Sequence, residues 1–231
     1  MGLTTLAVNV VASVAKLGLP VLAFIPSNTA EEFTGRFLSC LAQVDLGHDF
    51  SGLTESALHA VANAVKTLDD AHVRIDDGRS HTFETFALRC RDEKTLCGVL
   101  PLVVIDSVDF VNFFAESADA GAALKSLALE LNTCILVTAH LGRALEARPN
   151  KRPMMADLGQ AQAIGEKADV VLFLFRPEMY GFPPPSDGNL EMIVARNKFG
   201  PTAVLEMTCI FRTAQIIPTP VVEEPAGEHD F

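Results

Sequence analysis

"LPLVVIDS", Leu100–Ser107, is the stretch on which the fold turns. Its apolar residues are contiguous rather than alternating, the pattern of a strand covered on both faces, and the run stops at Asp106. Similar short apolar runs lie on either side: "PVLAFI", "VRID", "TCILVTA", "DVVLFLF", "LEMIVA" and "AVLEMTC". Helical patterns separate the earlier ones. "TAEEFTGRFLSCLAQV" opens with a cap-like Asn28–Thr29 and acidic residues in its first turn. "TESALHAVANAVKTL", "HTFETFALRCRDEK" and "AALKSLALELN" follow. Strands alternating with helices predict an α/β fold with a mainly parallel sheet and right-handed crossovers. The last two runs sit close together after "GFPPPSDGN", which predicts an antiparallel edge at the C-terminal side.

At 231 residues and 49% hydrophobic, the chain is long and apolar enough for one domain with a substantial core. No apolar run reaches the roughly 18 residues of a membrane span, and no signal peptide is visible. The five cysteines are odd in number and scattered, so neither a disulfide framework nor a zinc site is expected, and a reducing cytoplasm fits. Net charge is −11, of which Glu223, Glu224, Glu228 and Asp230 supply the tail's share. The body therefore stays acidic and offers no electrostatic pull toward a polyphosphate. The stretch "IPTPVVEEPAGEHDF" is too proline-rich and acidic to pack. The expected division is residues 1–215 as the folded domain and 216–231 as a disordered acidic tail.

Several stretches carry chemistry. An aspartate at the carboxyl end of a buried strand is where nucleotide hydrolases hold Mg²⁺ through water, although many α/β strands end in Asp as a simple cap. "ILVTAH" is a second buried strand, ending at His140, which on its own is as well read as a core or loop histidine. "ARPNKRPMMADLGQAQAIGEKADVVLFLFR" has a more specific order: a basic, proline-punctuated loop, a short helix from Asp157, then a buried strand from Asp169 to Phe175. "IVARNKFGPTAVLEM" puts Arg196 and Lys198 on a strand-to-turn corner before Gly200–Pro201. The opening "MGLTTLAVN" looks like the back half of a phosphate-binding loop, G-x-x-x-x-G-K-[ST], with Gly2, Leu3 and Thr4 at its last three positions. A plain amphipathic helix start is the alternative.

Taken together, these stretches resemble the C-terminal RecA-like motor domain of DnaB-type replicative DNA helicases, over roughly residues 1–215. "KRPMMADL", "AIGEKADVVLFLFR" and "NKFGPT" are the most specific parts. The resemblance implies a RecA-like P-loop NTPase sandwich from which the first, phosphate-loop strand is missing. It implies ATP and Mg²⁺ as cofactors, with Gly2, Thr4, Thr5, Asp106, Arg196 and Lys198 on the nucleotide and Thr4 and Asp106 at the metal. Arg196 and Lys198 fall in the segment that gives a basic finger to the neighbouring subunit's nucleotide. The positive charge at Arg148, Lys151 and Arg152 falls on a segment lying toward the subunit interface or pore, where DNA is held; a solvated loop is the alternative there.

The departures from the family pattern fall on chemistry. Leu3 stands where a phosphate-contacting lysine belongs, and leucine cannot pair with a phosphate charge. Ser27 replaces the glutamate that polarises the attacking water, and serine is no base at neutral pH. His140 replaces a sensor glutamine, so none of the three catalytic positions is intact. Arg196–Asn197–Lys198 keeps two cations in swapped order, an exchange that a bidentate arginine contact does not tolerate. The loop "SVDFVNFFAESADAGAA" lacks Lys and Arg and carries Asp109, Glu116 and Asp119, so weak or no single-stranded DNA binding is expected. The family's N-terminal domain has no counterpart in these residues. Three functions compete: an ATP-driven 5'-3' helicase subunit; a degenerate domain kept to dock on a DnaB-type helicase subunit or loader, with nucleotide binding weak or absent; and a remnant or fragment with an upstream start.

Overall fold

The structure, a computed structural model, describes residues 2–47, 52–79, 81–108, 119–181 and 188–219. Four strands, β1 (Val21–Phe24), β2 (Val73–Asp76), β3 (Leu102–Ile105) and β4 (Cys134–Val137), form a parallel sheet in the order β2-β1-β3-β4. β1 and β3 have neighbours on both sides and are buried at every position, as their contiguous apolar runs require. Successive side chains feed opposite cores. On one face α1 (Leu3–Ala15) and α2 (Ala30–Ala42) bring Val8, Val11, Phe33 and Phe37 against Val21, Ala23 and Val104. On the other, α4 (Phe83–Cys97) and α5 (Ala120–Leu131) bring Phe86, Leu124 and Leu127 against Leu22, Phe24, Val103 and Ile105. Each fully buried aromatic here contributes about 1.5–3 kcal/mol. α3 (Glu55–Asp70) rests against α2.

Local chemistry sets the helix starts. Thr29, Thr54, Thr82 and Asp119 cap α2, α3, α4 and α5, each side chain accepting a backbone N–H three residues on. Thr29 and Glu32 complete a reciprocal capping box, so the cap expected at Asn28–Thr29 falls on the threonine.

The remaining strands, β5 (Val170–Phe175), β6 (Asn189–Asn197), β7 (Ala203–Ile210) and β8 (Gln215–Pro218), form a separate antiparallel sheet in sequence order. The expected antiparallel edge is thus a whole sheet, and β5, expected among the parallel strands, belongs to it. β5 has β6 as its one sheet neighbour among the described residues, and its burial alternates: Val171, Phe173 and Phe175 are buried, while Val170 and Leu172 are 41% and 37% exposed. A contiguous apolar run calls for cover on both faces, and the face carrying Val170 and Leu172 is left partly uncovered among the described residues. β8 pairs with β7 through to Pro218, so the boundary drawn at residue 215 falls inside a strand. Residues 220–231, with the four tail acids, lie outside the described residues, as do Asp109 and Glu116 of the acidic loop.

Contacts on both sides of the parallel sheet join it to the antiparallel one. Asn9 on α1 donates from Nδ2 to the Ala214 carbonyl at 2.8 Å and accepts from Ile216 N at 3.0 Å. On the opposite side α6 (Gln162–Lys167) packs on α5, so closely that a Cβ at Gly121 would lie 2.3 Å from the Ala163 carbonyl oxygen. Between β4 and α6 the chain makes two 3-10 turns, Arg143–Ala147 and Met155–Ala161. The buried Asp157 ties them. It accepts from both terminal nitrogens of Arg148 (3.1 and 2.8 Å) and from Met154 N (2.8 Å), and its carbonyl accepts from Gly142 N (2.8 Å).

Candidate nucleotide site

The carboxyl ends of parallel strands and the amino end of a helix are where α/β folds take anionic ligands. In this chain β1, β3 and β4 end on one side of the sheet, and α1 begins there. A cavity of about 380 Å³ opens between them, lined by Gly2, Leu3, Thr4, Thr5, Ser27, Asp106 and His140, with Asn28, Arg36 and Ser107. Eight of these lining positions come from the strand ends and the helix start; Asn28 and Arg36 come from the turn before α2 and from α2 itself. The expected nucleotide residues Gly2, Thr4, Thr5 and Asp106 are therefore brought together, and so are the three altered positions.

Asp106 follows β3 and is 1% exposed. Its Oδ1 accepts a 2.5 Å hydrogen bond from Thr138 Oγ1, while Oδ2 is buried and has no partner among the described residues. An orphaned carboxylate oxygen suits water on a hard cation. Among the described residues no three His, Cys, Asp or Glu side chains are grouped to hold an ion, so any Mg²⁺ would lean on water and phosphate. Gly2, in the left-handed region at φ 93°, starts α1 without a side-chain cap, and no acidic residue occupies the first turn. The helix's unpaired amides and its positive end therefore face the cavity.

Three other side chains of the same cavity differ. Leu3 lines the cavity with an apolar side chain. Ser27 Oγ donates to the Asp106 carbonyl at 2.7 Å and accepts from Asn28 Nδ2 at 3.0 Å, so its hydroxyl is spent on structure. His140 Nδ1 lies 3.5 Å from Ser107 Oγ. The donor set thus suits the metal and phosphate side of a magnesium–nucleotide. Arg36 escaped the sequence reading. It is the one arginine or lysine lining the cavity among the described residues, and its only sequence signal is a place two turns into α2.

Arg196 and Lys198 lie elsewhere. Arg196 bonds the Glu166 carbonyl at 2.5 Å, and Lys198 lies 3.5 Å from Asp169, just ahead of β5. Leu174, near β5's other end, is the residue close to Gly2. The length of β5 therefore keeps this pair roughly 16 Å from the cavity. Hydrogen bonding from Lys125, with Lys198 behind it, holds the Asp169 carboxyl below its ordinary value.

The cations expected at DNA are committed within the chain. Arg148 is spent on Asp157, and Arg152 makes a bidentate pair with Glu191 (2.7 and 2.6 Å) while lying over the Phe175 ring. Lys151 donates to the Glu146 carbonyl and has no carboxylate partner among the described residues.

A solved structure, "The Structure Of A DnaB-Like Replicative Helicase And Its Interactions With Primase", matches with a TM-score of 0.86 at 19% identity, over 95% of this chain and 55% of that one. A solved ATPase domain matches with a TM-score of 0.85 at 19% identity, over 95% and 81%. The fold is that of a DnaB-like helicase ATPase domain. The family model described as "DnaB-like helicase C terminal domain" matches residues 1–216, and the chain belongs to that family. Among its relatives, the replicative DNA helicase DnaB of Leifsonia xyli is 30% identical over 90% of this chain and 47% of its own length. That of Geobacillus stearothermophilus is 28% identical over 91% and 48%. The chain spans about half the length of these relatives.

Proposed function

We propose that this chain is a DnaB-like domain whose hydrolytic chemistry has been lost and that it serves DNA replication as a regulatory or interaction module in the cytoplasm. Its partner would be a DnaB-type helicase subunit or a loader. The observation that carries this is the mixed lining of the cavity: Asp106 and the main-chain start of α1 stand ready for a metal and a phosphate, while the Leu3 side chain beside them is apolar and the Ser27 hydroxyl is engaged. Thr4, Asp106 and the first amides of α1 would hold a magnesium–nucleotide, weakly, because no lysine neutralises the phosphates. Such a ligand would supply a polarised phosphoryl group. Ser27 cannot take a proton from water, since its oxygen already bonds Asn28 and its proton is given to a carbonyl. Arg36 would supply the remaining positive charge. Arg196 and Lys198, on their distant corner, would serve a neighbouring subunit's nucleotide or none.

Among the described residues no helix is long and apolar enough to cross a membrane. With Arg148 and Arg152 neutralised by carboxylates, no grip on a phosphate backbone remains beyond Lys151 in that segment, and single-stranded DNA binding would be weak or absent. The test is a pair of measurements on the full chain. Fluorescent oligo-dT should show no binding at physiological salt, and the chain should co-purify with a DnaB-type helicase. Micromolar oligo-dT binding that weakens steeply with salt, and is lost on replacing Arg148, Lys151 and Arg152, returns the active-helicase reading to first place.

A further inference from the structure

Three of the residues lining the cavity at the carboxyl ends of β1, β3 and β4 are ionisable: Arg36, Asp106 and His140. Histidine is the one type among these whose ordinary titration falls between about pH 5 and 8. The family resemblance leads one to expect a glutamine at this position, a side chain that is neutral at every pH. The place of His140 in the fold is firm. Thr138 N bonds the Ile105 carbonyl at 2.9 Å, Val108 N bonds the Thr138 carbonyl at 3.0 Å, and Thr138 Oγ1 bonds Asp106. The segment leading from β4 to His140 is thereby stitched to the one that carries Asp106 and Ser107. His140 Nδ1 lies 3.5 Å from Oγ of the buried Ser107, while His140 itself is exposed. Several charges surround it. Arg36 comes from α2 and Asp106 from the end of β3, and α1 presents its amino end with no acidic residue in the first turn. Arg143 and Glu146 of the following turn, opposite in charge, line a neighbouring groove together with His140.

Resting on the nucleotide reading of the cavity, we infer that His140 is a phosphate ligand there and that pH sets its strength, so that the chain holds a nucleoside phosphate more tightly when the imidazole is protonated. With leucine at position 3, the side-chain positive charge lining the cavity comes from Arg36 alone while the imidazole is neutral, and from two groups once it is charged. A protonated imidazole donates from both nitrogens. It therefore offers a phosphate oxygen a charge-assisted hydrogen bond whichever nitrogen meets it. In a chain of net charge −11, each cation at the site counts toward an anion. Water screens an exposed pair, so the gain is modest. The sign is fixed: binding is tightest below the imidazole range and loosens as pH rises through it. By linkage, a bound phosphate favours the protonated ring. It moves the titration of His140 to higher pH by the same factor by which protonation tightens binding.

The probe is ADP with Mg²⁺, titrated into the full chain at about pH 6 and about pH 8 and followed by NMR through the amides of residues 2–5 and the ring of His140. The phosphates of ADP titrate in the same range, and His140→Gln, treated identically, reports that background. Between the two pH values the native chain should gain about three- to fivefold more affinity than the glutamine variant, and ADP should move the His140 titration upward. His140→Lys carries its charge at both pH values. It should bind at about pH 8 as tightly as the native chain does at about pH 6, which a merely structural histidine would not produce. An unchanged circular dichroism spectrum is the folding control for both variants. Equal pH dependence in the native chain and the glutamine variant, or a His140 titration that ADP leaves in place while the amides of residues 2–5 shift, overturns the inference and leaves the nucleotide site standing. No shift of those amides at about 10 mM ADP at either pH overturns the inference and the nucleotide reading together.

Discussion

Asp106 and Asp157 are both buried aspartates, 1% and 6% exposed, and they differ in what their oxygens meet. Asp157 has both oxygens filled, by Arg148 and by Met154 N, and it holds two 3-10 turns in place. Asp106 has one oxygen on Thr138 and the other on no described residue. A buried carboxylate with a full set of partners is part of the scaffold. One left half satisfied at the edge of a cavity costs stability and is a candidate ligand position. The two regions thus separate a carboxylate built into the scaffold from one left open at the cavity.

Substitutions should follow that division. Asp157→Ala, which strands the Arg148 guanidinium, should cost about 3–5 kcal/mol in urea unfolding; a loss below about 1 kcal/mol would erase the contrast. Asn9→Ala cuts both hydrogen bonds between α1 and the β8 region and should cost about 1–3 kcal/mol, with the earliest exchange gains in residues 214–218. Asp106→Asn keeps an acceptor for Thr138 and removes a buried carboxylate oxygen that has no partner among the described residues. It should therefore raise stability by about 1 kcal/mol, opposite in sign to the first two, and a clear loss would mean that Oδ2 has a partner in solution. The smallest effect is at Asp169. Because Lys125 holds its folded pKa down, the stability it adds is present above the ordinary carboxylate value, near pH 4, and is lost as pH falls below it. Asp169→Asn should flatten that acid limb and cost under about 1 kcal/mol at pH 7 in this partly exposed pair.

What could be read without coordinates was local or strongly periodic. The contiguous runs at β1 and β3 announced strands with neighbours on both sides, and the cap before α2 and the β6–β7 hairpin were equally plain. Motif order placed Gly2, Ser27, Asp106 and His140 around one cavity. β5 escaped because an apolar run states that a strand should be covered, not that it is; the alternation of Val170 to Phe175 is visible only in the structure. The cluster of Arg148, Lys151 and Arg152 looked like free charge because Glu191 lies 39 residues from Arg152, beyond any local pattern. Ser27 was read as standing where the family has a base, but its hydrogen bond to the Asp106 carbonyl spans 79 residues and could not be seen locally.

The central claim is that the cavity keeps a place for a metal and a phosphate without the means to hydrolyse. Steady-state ATP hydrolysis by the full chain, with Mg²⁺ and with and without single-stranded DNA, tests it most directly. The account predicts no turnover above background in either condition. Turnover that disappears on Asp106→Ala would contradict it and make the chain a working ATPase.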